Sequence, residues 1–105
     1  MTPQEEACLI AREFLTGNVP LVEACRRIQP ILDELGLRGD EEFIDFVGVD
    51  SEADVYPLGD DRRHWNREAL ATKDAEFAEF ERFYRPYVER ACRAVLDRFG
   101  ASASS

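Results

Sequence analysis

Leu21, Cys25, Ile28, Leu32 and Leu35 recur at alternating steps of four and three, the spacing that lines one face of an α-helix, and they predict a helix over about 20–35. Asn18 can cap its start, and Gly36 ends it. Pro30 falls inside, but the apolar stripe keeps its phase across it, so a single helix kinked by the missing N–H is expected. Upstream, Thr2-Pro3-Gln4-Glu5 reads as a capping box with proline in the first helical position. Ala7, Leu9, Ile10, Ala11, Phe14 and Leu15 then form a wide apolar stripe over about 3–16, with Gly17 as a left-handed stop.

Asp40 caps a short third helix, about 41–47, with Phe43, Phe46 and Val47 facing inward. Gly48 is expected to end it and to open an irregular segment of about 17 residues, a length that is usually functional or disordered. Val49, Val55, Tyr56, Leu58 and Trp65 give this segment apolar anchors, so an ordered loop is expected. From Asn66 as N-cap, a helical turn (Arg67 to Ala71) leads to a long helix over about 73–99. Phe77, Phe80, Tyr84, Tyr87, Val88, Ala91, Val95 and Phe99 mark its buried face. Such a helix is close to 40 Å long, at about 1.5 Å per residue, so a kink at Pro86 is expected to wrap it around the others. Gly100 closes it, leaving 101–105 as a disordered tail. No strand-like alternation appears. The pattern implies one all-α domain over 1–100: a compact helical bundle with two N-terminal helices, a short third, an ordered acidic loop and a long kinked C-terminal helix.

Charge changes this picture locally. The chain has a net charge of −9, and all of it arises in residues 40–61, which hold nine carboxylates and no Lys or Arg. Elsewhere 13 acids balance 13 bases, 12 of them arginines beside the single Lys73. Charge so concentrated repels itself unless the Arg-rich remainder of the fold, a metal ion or a basic partner relieves it. It also opposes nucleic-acid binding, which needs a basic surface. No apolar run approaches the roughly 18 residues of a membrane span, and the N-terminus lacks a signal-peptide pattern, so a soluble cytoplasmic protein is expected. Cys8, Cys25 and Cys92 sit far apart among apolar residues and read as buried, reduced thiols.

The acidic segment carries the candidate chemistry. Asp50, Glu52 and Asp54 fall at the 1, 3 and 5 spacing of a calcium loop, with Asp61 at position 12. Val55 stands where such a loop needs glycine, however, and Asp61 where a bidentate Glu is usual. A carboxylate divalent-metal site is therefore only a third reading, and no metal or cofactor is expected. In the structural reading, Asp50, Ser51 or Asp54 can cap backbone N–H groups in turns, and Glu52 or Asp54 can form a forked pair with Arg62 or Arg63, with Trp65 as the apolar anchor. His64 is the only histidine, and a triad with Ser51 has no nucleophile elbow behind it. No phosphate loop, zinc motif or dinucleotide fingerprint appears, so no enzyme is expected.

The run Phe43-Ile-Asp-Phe-Val-Gly-Val-Asp-Ser-Glu-Ala-Asp54, with Pro57, Gly59, Arg62 or Arg63, and Trp65, resembles the central signature of a family of small bacterial proteins of unknown function. The likeness extends to Glu23, Cys25, Tyr84, Cys92 and Phe99. It implies a bacterial source and one compact helical domain with the Ser-Glu-x-Asp loop as its focus, and it supplies no activity. A local similarity links Asp54-Val-Tyr56-Pro57-x-Gly59-Asp60-Asp61 to the acidic Tyr-Pro segment of small immunity proteins that neutralise bacterial DNase toxins. Those carry paired tyrosines and a short following helix, where this chain has Tyr56 alone and a long helix. That likeness implies Tyr56 as an aromatic anchor, with Asp54, Asp60 and Asp61 as rim charges. The expectation is a non-enzymatic protein-binding module that docks a basic protein through residues 40–61. The alternative is a structural domain or homodimer whose acids pair with the last helix.

Overall fold

The computed structural model describes residues 1–57 and 59–103, with backbone alone for 59–61 and 101–103. Four α-helices follow in order: α1 (Pro3–Leu15), α2 (Leu21–Glu34), α3 (Ile44–Ala53) and α4 (Arg67–Ala103). Two 3₁₀ turns, Glu41–Phe43 and Gly59–His64, precede α3 and α4, and no strand occurs among the described residues.

The ends of these helices obey local rules. Thr2 Oγ1 accepts the Glu5 N–H at 3.1 Å, as the capping sequence predicts. Gly17 and Gly36 take φ of 83° and 72°, and each closes a Schellman motif. In the first, the Asn18 N–H reaches the Glu13 carbonyl at 2.8 Å; in the second, the Leu37 N–H reaches Leu32 at 2.8 Å. Asn18 is thus spent on the end of α1. Pro20, at φ −64° and ψ 156°, takes the N-cap place of α2. The stripe through Pro30 does hold α2 together as one helix.

The core lies where α1, α2, α3 and the C-terminal half of α4 meet. Ala7, Cys8, Ile10, Ala11 and Phe14 of α1 pack with Leu21, Ala24, Cys25, Ile28 and Leu32 of α2, and Val88, Ala91, Cys92 and Val95 supply the face of α4. Phe43 and Phe46 close one end, with ring centroids 6.3 Å apart, and Phe43 also stacks on Phe99 at 6.3 Å.

Two expectations are corrected. First, α3 does not stop at Gly48 but continues through the expected loop to Ala53. Phe46, Val49 and Ala53 follow at helical steps and are all fully buried, so the apolar period outweighs the cost of one glycine, about 1 kcal/mol. Gly48 is therefore helical, and a Cβ there would meet the Tyr84 hydroxyl of α4 at 3.7 Å. Second, α4 is a single helix of 37 residues that includes Arg67–Ala71 and passes both Pro86 and Gly100. It extends beyond the bundle instead of wrapping it, and it accounts for the 51 Å length of a molecule 24 by 22 Å across. Fully buried residues of α4 are confined to its C-terminal half, from Val88 onward.

Candidate functional site

With residues 50–53 helical, the acids of the expected loop separate onto different faces. Asp50 and Asp54, four apart, turn toward α2, where Arg26 Nε donates to Asp50 at 2.9 Å and Nη2 to Asp54 at 3.2 Å. Gln29, its amide oriented to suit both neighbours, donates to Asp50 and accepts from Arg38 at 3.0 Å. Asp40 caps the first 3₁₀ turn through the Glu42 N–H at 2.9 Å and accepts from Arg98 at 2.9 Å. The hydrogen bond from Arg98, with that from Glu42, holds the Asp40 carboxyl below the usual carboxylate range. Arg98 also lies over the Phe43 ring, 5.0 Å from its centre. Much of the acidic charge is thus spent inside the chain, through an arginine of α2 and one of α4.

The expected forks differ in their partners. Arg62 binds Asp74 of α4 through both terminal nitrogens, at 2.7 and 3.0 Å, rather than Glu52 or Asp54. Asp54 and Glu52 are engaged instead by Arg26 and Tyr84. Arg26 was the missed cation; its signal was a place on the polar face of α2, legible only once α3 was known to lie beside it. Arg63 is exposed on the second 3₁₀ turn, and Ser51 is exposed on α3. Trp65, half-exposed at 38%, lines a small hollow of about 180 Å³ with Asp54, Val55, Tyr56, Pro57 and His64. The side chains of Asp60 and Asp61 lie outside the described residues.

Helical spacing also undoes the calcium-loop pattern, because Glu52 faces α4 while Asp50 and Asp54 face α2. Among the described residues no group of three or more His, Cys, Asp or Glu side chains could hold a metal ion. The three thiols are free and buried. Burial, then the charge of Glu89, pushes the Cys92 thiol up to about 12, and burial likewise raises Cys25 and Cys8, so all three stay protonated at neutral pH.

What the fold does assemble is an aromatic groove between the end of α3 and the outer half of α4. Its volume is about 620 Å³, and Tyr56, Phe80, Phe83 and Tyr84 line it with Glu52, Glu76 and Glu79. Tyr56 is half-buried, its ring 5.2 Å from both Phe77 and Phe80, so it serves as the floor of a cluster rather than a free-standing anchor. The projecting aromatic is Phe83, 60% exposed, with Tyr87 beside it at 37%. Their rings are 5.5 Å apart. Tyr87, expected on the buried face, is instead partly open to solvent. Glu76 is paired with Lys73 at 3.3 Å, and Lys73 also lies 5.9 Å from the centre of the Tyr56 ring.

Tyr84 ties the two walls together by donating its hydroxyl to Glu52. Partial burial first, then that bond and the charges of Glu52 and Asp45, push its phenol up to about 12. A phenol that is harder to ionise in the folded than the unfolded chain, where it titrates near 10, adds stability that is complete below pH 10. That contribution is lost as pH rises from about 10 to 12. Phenolate absorbance should show a late-titrating step that is absent in Tyr84→Phe, with about 0.5–1.5 kcal/mol of stability lost in that variant at pH 7. An unchanged titration in Tyr84→Phe would place the late step on another tyrosine.

No helix among the described residues is long and apolar enough to cross a membrane. No curated protein and no solved structure is significantly similar to this chain. A family model described as "Protein of unknown function (DUF2489)" matches residues 4–95, which takes in nearly all of α1, all of α2 and α3 and most of α4, and the chain therefore belongs to that family.

Proposed function

We propose that the protein is a non-enzymatic docking domain whose α3–α4 groove receives a basic segment of a protein partner. The observation that carries this reading is an open aromatic surface, centred on the 60% exposed Phe83, with three carboxylates on its rim. An arginine or lysine suits such a place in two ways. Its alkyl stem covers an aromatic face, and its cation meets both the ring and a carboxylate. The remaining acids of residues 40–61 add a long-range attraction that speeds encounter with a basic surface. Neutralisation of a bacterial toxin is a narrower form of this reading, with Asp54, Tyr56, Asp60 and Asp61 in the contact. The alternative, a structural domain, is favoured for one part of the acidic segment: Asp40, Asp50 and Asp54 already have arginine partners within the chain.

The test is anisotropy with a labelled, synthetic amphipathic helix rich in arginine, beside a control peptide in which the arginines are glutamates. Wild type should bind the basic peptide alone, and more weakly as salt rises from about 50 to 500 mM. Glu76→Gln/Glu79→Gln should weaken it about tenfold. Equal binding of both peptides, or of wild type and variant, defeats the reading.

A further inference from the structure

Phe83 and Tyr87 lie four residues apart on α4, and the stripe they occupy continues at steps of four and three. Toward the N-terminus it passes Phe80 and Glu76; toward the C-terminus it passes Arg90 and Ala94. Phe83 is the midpoint. Glu76 and Arg90 lie seven residues from it on either side, about 10 Å each way along the axis. Arg90 is exposed, and its guanidinium lies along this stripe, 5.6 Å from the centre of the Tyr87 ring.

The same polarity runs through the whole helix. Residues 67–81 hold five acids (Glu68, Asp74, Glu76, Glu79, Glu81) against Arg67 and Lys73. Residues 82–103 hold five arginines (Arg82, Arg85, Arg90, Arg93, Arg98) against Glu89 and Asp97. Over its 37 residues α4 is neutral, although the chain is at −9. A helix with an acidic half, an exposed aromatic centre and a basic half is complementary to itself when turned end for end.

We propose that this stripe is an interface between two copies of the chain, with their α4 helices antiparallel about a two-fold axis beside Phe83. In that arrangement Phe83 and Tyr87 of the two copies cover one another, and Glu76 of each faces Arg90 of the other. The basic segment that enters the groove is then the Arg-rich half of a second α4, so the inference rests on the docking reading above and names its partner. Net charge does not forbid this, because fields between well-separated charges fade over about 8 Å at physiological salt while the local pairs remain.

The test is sedimentation equilibrium of the full chain from about 1 to 200 μM, a range that resolves micromolar self-association. Wild type should pass from monomer to dimer mass across that range. Phe83→Asp, Glu76→Arg and Arg90→Glu should each raise the dissociation constant about tenfold or more, and the double variant Glu76→Arg/Arg90→Glu should recover most of the loss. Circular dichroism checks that each variant is folded. A wild type that stays monomeric throughout overturns the proposal. So does a dimer that the single reversals leave intact, or one that the double reversal fails to restore. The arginine-rich peptide separates the two ideas: a monomeric wild type that binds the peptide loses this inference and keeps the docking reading. One that does neither loses both.

Discussion

Phe46→Ala is expected to reduce the stability of the fold by about 3–5 kcal/mol, read as a fall in the urea midpoint with little change in slope. Phe46 is completely buried on α3 and stacks beside Phe43, in the layer that joins α3 to α2 and α4. Removing the ring leaves a void lined by neighbours that already sit in helices and so relax only in part. Against the about 5–15 kcal/mol total of an ordinary domain, this is enough to populate unfolded chains near physiological temperature. Ile44 provides the control. It lies two residues earlier on the same helix but is 50% exposed, and Ile44→Ala should cost at most about 1 kcal/mol. Similar losses at both positions would mean that α3 is not seated with Phe46 inward. The groove depends on that seating, because Glu52 reaches Tyr84 only from a correctly packed α3.

Pro86→Ala is expected to act in the opposite direction, raising stability by about 1–2 kcal/mol and the melting temperature by several degrees. Pro86 lies inside α4, where it offers no N–H to the carbonyl one turn before it, Arg82. Proline costs about 3 kcal/mol more than alanine in a helix interior. Part of the gain is lost because alanine gives the unfolded chain more freedom, a cost of up to about 1 kcal/mol. The ring is exposed, so little packing goes with it. Pro86 also divides the buried half of α4 from the half that carries the groove, and stiffening that junction should slow amide exchange over 67–85. A lower melting temperature would show instead that packing of α4 against the bundle depends on the proline.

Each feature of the helix ends that proved legible depends on residues within about five positions. Thr2 and Glu5 set the start of α1, Gly17 and Gly36 end α1 and α2, and Asn66 starts α4 by accepting the Ala69 N–H at 2.7 Å. The all-helical class follows from the apolar period, which survives Pro30 because a stripe of fully buried side chains, Cys25, Ile28 and Leu32, outweighs one missing hydrogen bond. The family match covers residues 4–95 and is to a family of unknown function, so it carries no activity. Function was not legible, because no motif in the chain names a reaction.

The site belongs to the other kind of information. Whether Gly48 stops a helix depends on whether Val49 and Ala53 find a place in the core, and both are fully buried there. Which arginine meets which acid is a matter of helix placement: Arg26 is 24 residues from Asp50, and Arg98 is 58 from Asp40. Phe80, Phe83 and Tyr87 look alike in sequence as aromatic residues of one helix, yet one is half-buried and two are more open to solvent, which depends on where the rest of the chain packs along α4. The sequence by itself determined the all-helical class, the starts of α1 and α4, the stops at Gly17 and Gly36 and the charge along the chain, all set by short-range bonding and periodicity. Only the tertiary structure decided which acids are spent on internal arginines and which aromatic face stays uncovered, because both depend on how the helices pack across long stretches of chain.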